Sequence, residues 1–159
     1  MGRAGNYDIV AEQGSDFSLY LSYQENAGTG VTLDLYQARM QVRRSTIDTG
    51  ALLWLSGSTP SNTAGTTLHT RSVTGGGSTG EFTPTDATAD QELGTGGIRL
   101  NVSSAGATGT TGGILITIDA DTMANVPIGR HIYDLEIHSG SSAEKILKGK
   151  FEVEGEVTR

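Results

Sequence analysis

Chemistry would have to come from few residues in this chain of 159. It holds three histidines, His69, His131 and His138, and no cysteine, so thiolate metal sites and disulfides are absent. His131 and His138 fall at an odd separation on one expected strand. They therefore face opposite sides and cannot share an ion. Asp119 and Asp121 open like a calcium loop, which would need further oxygen ligands, a central glycine and a closing glutamate. Met123 and Pro127 break that pattern, and the pair reads better as a helix cap, with Asp121 at the N-cap. Gly75-Gly76-Gly77-Ser78-Thr79-Gly80 has neither the flanking strand and helix nor the lysine of a phosphate loop. Asp86, Asp90, Glu92, Asp119 and Asp121 could supply carboxylate pairs for glycoside cleavage, yet nothing in the sequence sets two of them across a cleft. The expectation is no catalytic residue, no metal site, no cofactor and no enzymatic activity.

The bulk numbers agree with a binding or structural role. The formal charge of −7 disfavours a nucleic-acid partner, whose affinity would come from a basic face. Arg39, Arg43 and Arg44 form the only basic cluster, and Lys145, Lys148 and Lys150 alternate along the last expected strand as a solvated face. No apolar run is long enough to span a membrane, and MGRAGNYD carries no secretory core and lacks the Ser or Thr that myristoylation would want at Asn6. Twenty-three glycines against three prolines point to many turns and open loops.

The elements that would carry these residues are strands. Phe17, Leu19, Leu21 and Tyr23 alternate with small or polar residues, and Val31, Leu33 and Leu35 continue that pattern after a turn. Ala38, Met40 and Val42 point inward on the next strand, with Arg39, Gln41 and Arg43 outward. Leu52 to Leu55 is short and apolar, and its Trp54 reads as a core or edge plug rather than a ligand platform. Ile98 to Val102 and Ile114 to Ile118 are further strands, followed by one helical turn ending at Pro127. Ile132–His138 and Lys145–Val157 close the chain as a hairpin. About seven or eight strands with turn signals between them predict an all-β, antiparallel, immunoglobulin-like sandwich as one domain over residues 1–159. Residues 56–97 stand apart. They are rich in Gly, Ser and Thr, longer than ordinary connections, and expected to be an inserted loop or arm, with a possible hairpin at Thr67–Val73.

The closing hairpin carries a pattern: Gly129-x-x-Ile132-Tyr133-Asp134-Leu135, then Leu147-x-Gly149-x-Phe151-x-Val153, then Val157-Thr158-Arg159. Together with GSDFSLYLSY, LDLYQARMQVRR and ITIDADTMANVPIG, it resembles the small β-sandwich structural proteins of tailed-bacteriophage virions. Among these are the N-terminal region of upper baseplate proteins and short virion proteins of contractile-tailed phages. The resemblance covers roughly residues 13–55 and 113–159 and leaves 56–97 unmatched. It implies a structural component of the tail, baseplate or neck, located in the virion and assembled in the host cytoplasm. Its partners would be other virion proteins and copies of itself in a symmetric array. The motif residues are structural: Gly129, Tyr133, Asp134, Leu135 and Gly149. Tyr133 is expected to plug one end of the sandwich with its hydroxyl on a backbone partner, Asp134 to face outward or cap a neighbouring loop, and the glycines to allow a tight turn and a close crossing.

Within the insertion, Leu68, His69, Arg71, Val73, Phe82 and Leu93 are the candidate assembly residues, too sparse to form a core unaided. A chain that ends as its sandwich closes suits a unit made to be docked. Two other readings remain open. One is a capsid decoration protein. The other is a carbohydrate- or receptor-binding module stacking sugars on Tyr20, Tyr23, Tyr36, Trp54 or Phe82.

Overall fold

The computed structural model describes residues 4–24, 28–45, 50–58, 64–74, 91–94, 96–107, 109–124, 126–139 and 142–155. For 50–52, 54, 56–58, 64–74, 91–94, 96, 121 and 122 only the backbone is considered. Among the described residues there are eleven strands and one short helix. They are β1 Gly5–Asn6, β2 Ile9–Glu12, β3 Phe17–Ser22, β4 Gln37–Arg43, β5 Gly50–Ser58, β6 Ala64–Thr74, β7 Gln91–Gly94, β8 Gly96–Leu100, β9 Gly113–Ile118, α1 Ala120–Ala124, β10 Gly129–Ser139 and β11 Ser142–Glu154.

Two sheets result, and the protein is the all-β sandwich that the alternation predicts. The larger runs β1-β11-β10-β4-β5-β6-β7, with β2 also on β11, and the smaller runs β3-β9-β8. The period-two pattern settles which side of each strand is buried. Ala38, Met40 and Val42 on β4, and Tyr133, Leu135 and Ile137 on β10, face the inside. Ile114, Ile116 and Ile118 on β9 and Ile98 and Leu100 on β8 meet them from the other sheet. Each such aliphatic side chain contributes about 1.5–3 kcal/mol when fully buried. Phe151 is the largest fully buried side chain, edge-on to Phe17 (5.8 Å) and Tyr133 (6.3 Å).

The structure departs from the expectations in four places. The sheet is not wholly antiparallel, because β1 and β2 run parallel to β11 along its edge. Val31–Leu35 is not a strand. Leu33 is fully buried, but the chain turns at Asp34–Leu35, and Leu35 is 73% exposed at φ 65°. The reason is Asn101, itself at φ 56°. Its Oδ1 accepts from Leu33 N and Gly112 N (both 3.1 Å), and its Nδ2 donates to Asp34 (2.9 Å). This side chain supplies the partners a neighbouring strand would have supplied, so the segment folds as a loop. The helix starts at Ala120, so Asp121 lies inside it. Asp119 takes the N-cap position, its carbonyl accepting from Met123 N (2.9 Å), while the Asp16 carboxylate accepts from Ala120 N (2.7 Å). Finally, the expected loop over 56–97 contains sheet: β6 pairs with β5 and β7, and β7 leads straight into β8 of the other sheet. Strand β8 lies against β5 and β6.

Candidate functional site

Two of the motif residues, Tyr133 and Gly149, meet at the β11 edge. Register sets Tyr133 directly across from Gly149. Here the N-terminal strand kinks between β1 and β2, and Tyr7 N donates to the Lys148 carbonyl (2.9 Å). The Tyr7 carbonyl then presses onto Gly149, where any Cβ would overlap it. Glycine is required there by contact, since a side chain would displace backbone. Into the same gap the Tyr133 hydroxyl donates to the Tyr7 carbonyl at 2.6 Å, and Lys150 N donates to Asp8 Oδ1 at 3.0 Å. Tyr133 is 4% exposed, and burial first, then Tyr7 and Asp8, pushes its phenol well above the ordinary tyrosine range. Leu135 is fully buried on the same face. Gly129 begins β10 at φ 127°, a conformation that any side chain would strain. The Tyr133 hydroxyl thus has a backbone partner and Gly149 a close crossing, while Gly129 opens β10 at positive φ.

Asp134 faces outward, as anticipated, and joins a charged surface. Lys145 Nζ lies 2.8 Å from Asp134. The register slips between Leu135 and Glu136, so β11 carries one extra residue, and this bulge lets Lys145 reach diagonally to Asp134. Next to it Arg39 donates to Glu136 (2.7 Å), and Arg43 to Gln41 (2.5 Å). A groove of about 400 Å³ opens here, lined by Asn6, Gln41, Arg43, Ile132, Asp134, Lys145 and Lys148, among others. It holds three cations against one carboxylate in a chain of net charge −7. The lysines thus do form a solvated face, as read from their alternation, and they also line a pocket. Their convergence with Arg43 was not legible, because it depends on β4 and β11 flanking β10.

A second cleft, of about 390 Å³, lies where β2 and β3 part into different sheets. Ile9, Ala11, Phe17 and Leu19 supply its apolar wall, and Glu12, Asp16 and Glu154 its carboxylates.

The remaining candidates divide by position. Leu68, His69, Arg71 and Val73 fall on β6 and Leu93 on β7, so backbone pairing places them on the sheet's flank; their side chains, and Phe82, Asp86 and Asp90 altogether, lie outside the described residues. The same holds for the Gly75–Gly80 stretch and for the side chains of Trp54 and Glu92. His131 is buried on the inner face, one ring nitrogen bonded to the Pro127 carbonyl at 2.7 Å, and the other has no hydrogen-bond partner among the described residues. His138 sits on the opposite face of β10. Among the described residues no three His, Asp or Glu side chains converge as metal ligands would. Of the aromatic rings considered for sugar stacking, Tyr20 donates to the Val102 carbonyl (3.0 Å) and Tyr23 to Glu144 (2.9 Å). Both rings, like Tyr36, are half-buried. Burial first, then the Glu144 hydrogen bond and charge, pushes the Tyr23 phenol up to about 12.

The chain matches no protein-family model, and no curated protein is similar to it. Among solved structures, the extracellular domain of the voltage-gated sodium channel beta4 subunit, whose parallel homodimers explain its role in cell–cell adhesion, is similar at 11% identity. The likeness covers 99% of this chain and 96% of that one, with a TM-score of 0.36. Nothing about function or assembly is carried from it to this protein.

Proposed function

We propose that the protein is a non-enzymatic structural component of a tailed-phage virion, in the tail, baseplate or neck, acting by docking to other virion proteins and to copies of itself. The observation that carries this reading is the convergence of the resemblance residues. Tyr133 and Gly149 close on the Tyr7 carbonyl as one interlock, and Asp134, next to Tyr133, opens onto a charged outer groove. A rigid sandwich with such a surface suits repeated, identical contacts. Residues 75–90, between β6 and β7, would present the second contact, to a neighbouring virion protein.

The test follows from where that segment joins the sheet. Removing 58–96 would strip β6 and β7 from the sheet and uncover β5 and β8, so it cannot separate docking from folding. Replacing only 75–90 leaves every described strand in place. The ends to be rejoined are Thr74 and Gln91, and Gln91 pairs with His69, so a Gly/Ser linker of about eight residues spans the gap. The replaced protein is expected to fold as the parent does and to be lost from purified particles. Normal incorporation would take the docking role away from this segment.

A further inference from the structure

Strand β11 is electrically polarised. After Glu144, which accepts from the Tyr23 hydroxyl, it carries Lys145, Lys148 and Lys150 along its middle and Glu152 and Glu154 at its end. Its neighbours widen both patches. Arg43 joins the lysines through the groove, while register brings Glu12 opposite Glu154, with Asp16 across the cleft. Glu12, Asp16 and Glu154 are all exposed. Lys148 and Glu154 stand about 20 Å apart along the extended strand, beyond the roughly 8–10 Å over which exposed charges act at physiological salt. Glu152 lies 3.9 Å from Arg130, but Lys148 and Glu154 are too far apart to neutralise each other within one molecule.

Apolar surface gathers in the same place. The exposed large apolar side chains among the described residues are Tyr7, Val10, Leu35 and Ile128. Three of them border this edge: Tyr7 beside Gly149, Val10 opposite Glu152, and Ile128 beside Gly155. Val10 lies between the charged patches, while Tyr7 lines the cleft beside Ile9 and Ile128 sits past Glu154; opposite charges on one face supply a protein contact with orientation and rate.

We infer that the protein pairs with a second copy of itself through this outer face, the Glu12–Glu154 rim of each copy seating on the Arg43–Lys148 groove of the other. Because both patches lie along one strand, a two-fold axis between them satisfies both contacts at once. The parallel arrangement would set rim against rim and groove against groove, and like charges reject it. This names the surface for the self-assembly part of the function proposed above. It is tested on the purified full chain, so absence of the protein from particles would sink that function and leave this pairing standing.

The experiment is a charge swap read by sedimentation equilibrium at about 50 mM salt, where exposed charges are weakly screened. One variant carries Arg43→Glu and Lys148→Glu, the other Glu12→Lys and Glu154→Lys. The wild type is expected to dimerise, and the dimer to weaken as salt rises. Each variant alone is expected to dissociate at least about tenfold more readily. An equimolar mixture is expected to form a one-to-one heterodimer, because each variant's altered patch fits the other's. Matching thermal melts would show that all four substitutions leave the fold intact. A monomeric wild type overturns the inference, as do variants that dimerise like the wild type or a mixture that stays monomeric.

Discussion

The two borders of the large sheet differ in how plainly the sequence announces them. At the β1/β2–β11–β10 border every step has a side-chain reason: glycine where a carbonyl crosses, tyrosine opposite it to hold that carbonyl, and a phenyl ring beneath. At the β5–β6–β7 border the described pairing is backbone to backbone: Thr67 opposite Trp54 and Leu93, and Thr66 opposite Leu55 and Gly94. Ladder hydrogen bonds form whatever the side chains are, so a strand can hide in a stretch of Gly, Ser and Thr. A border whose strands alternate apolar and polar residues leaves a pattern in the sequence. A strand rich in Gly, Ser and Thr does not.

The difference can be broken from the first border. Replacing Gly149 with Val puts atoms where the Tyr7 carbonyl lies, and must push β1 and the kink off β11. The expected cost is about 2–3 kcal/mol, read by chemical denaturation, with amide exchange rising over residues 5–12. A variant as stable as the parent would mean that the crossing is not a constraint.

A smaller change sharpens the same point. Tyr133→Phe keeps the ring and removes the hydroxyl that reaches Tyr7, for an expected loss of about 1–1.5 kcal/mol near neutral pH. The phenol's folded pKa is raised, so its contribution is fully present below the ordinary value of 10.0 and is lost as pH rises beyond it. Denaturation at a series of alkaline pH values should therefore fall less steeply for Tyr133→Phe than for the wild type. Tyr23, pushed up to about 12, should account for part of the slope that remains. Equal slopes would contradict the burial of this hydroxyl.

The second border gives the smallest expected effect. Replacing 75–90 with the linker should shift the thermal midpoint by no more than a few degrees, since β6 and β7 keep their partners. A large loss would show that the replaced residues help hold the flank.

How far the sequence could be read follows from the same physics. Alternation identified the inward faces of β4, β9 and β10, because a buried face has to be apolar at every second position. The roles of Tyr133, Gly149 and Asp134 were legible from their types. The parallel placement of β1 and β2 was not, because short edge strands with few apolar residues leave no period. Nor was Asn101, whose type suits a turn but two of whose three partners, Leu33 and Asp34, come from a loop distant in sequence. The groove needed Arg43 and Lys148 on strands separated by β10, which only the topology supplies.

The central claim, that this sandwich is a repeated building block, is tested most directly by electron cryo-microscopy of tailed-phage particles that carry its gene. The account predicts density for the sandwich in a symmetric arrangement at the tail, baseplate or neck, with the β11 face covered by a neighbouring copy. Particles that are complete without it would contradict the account.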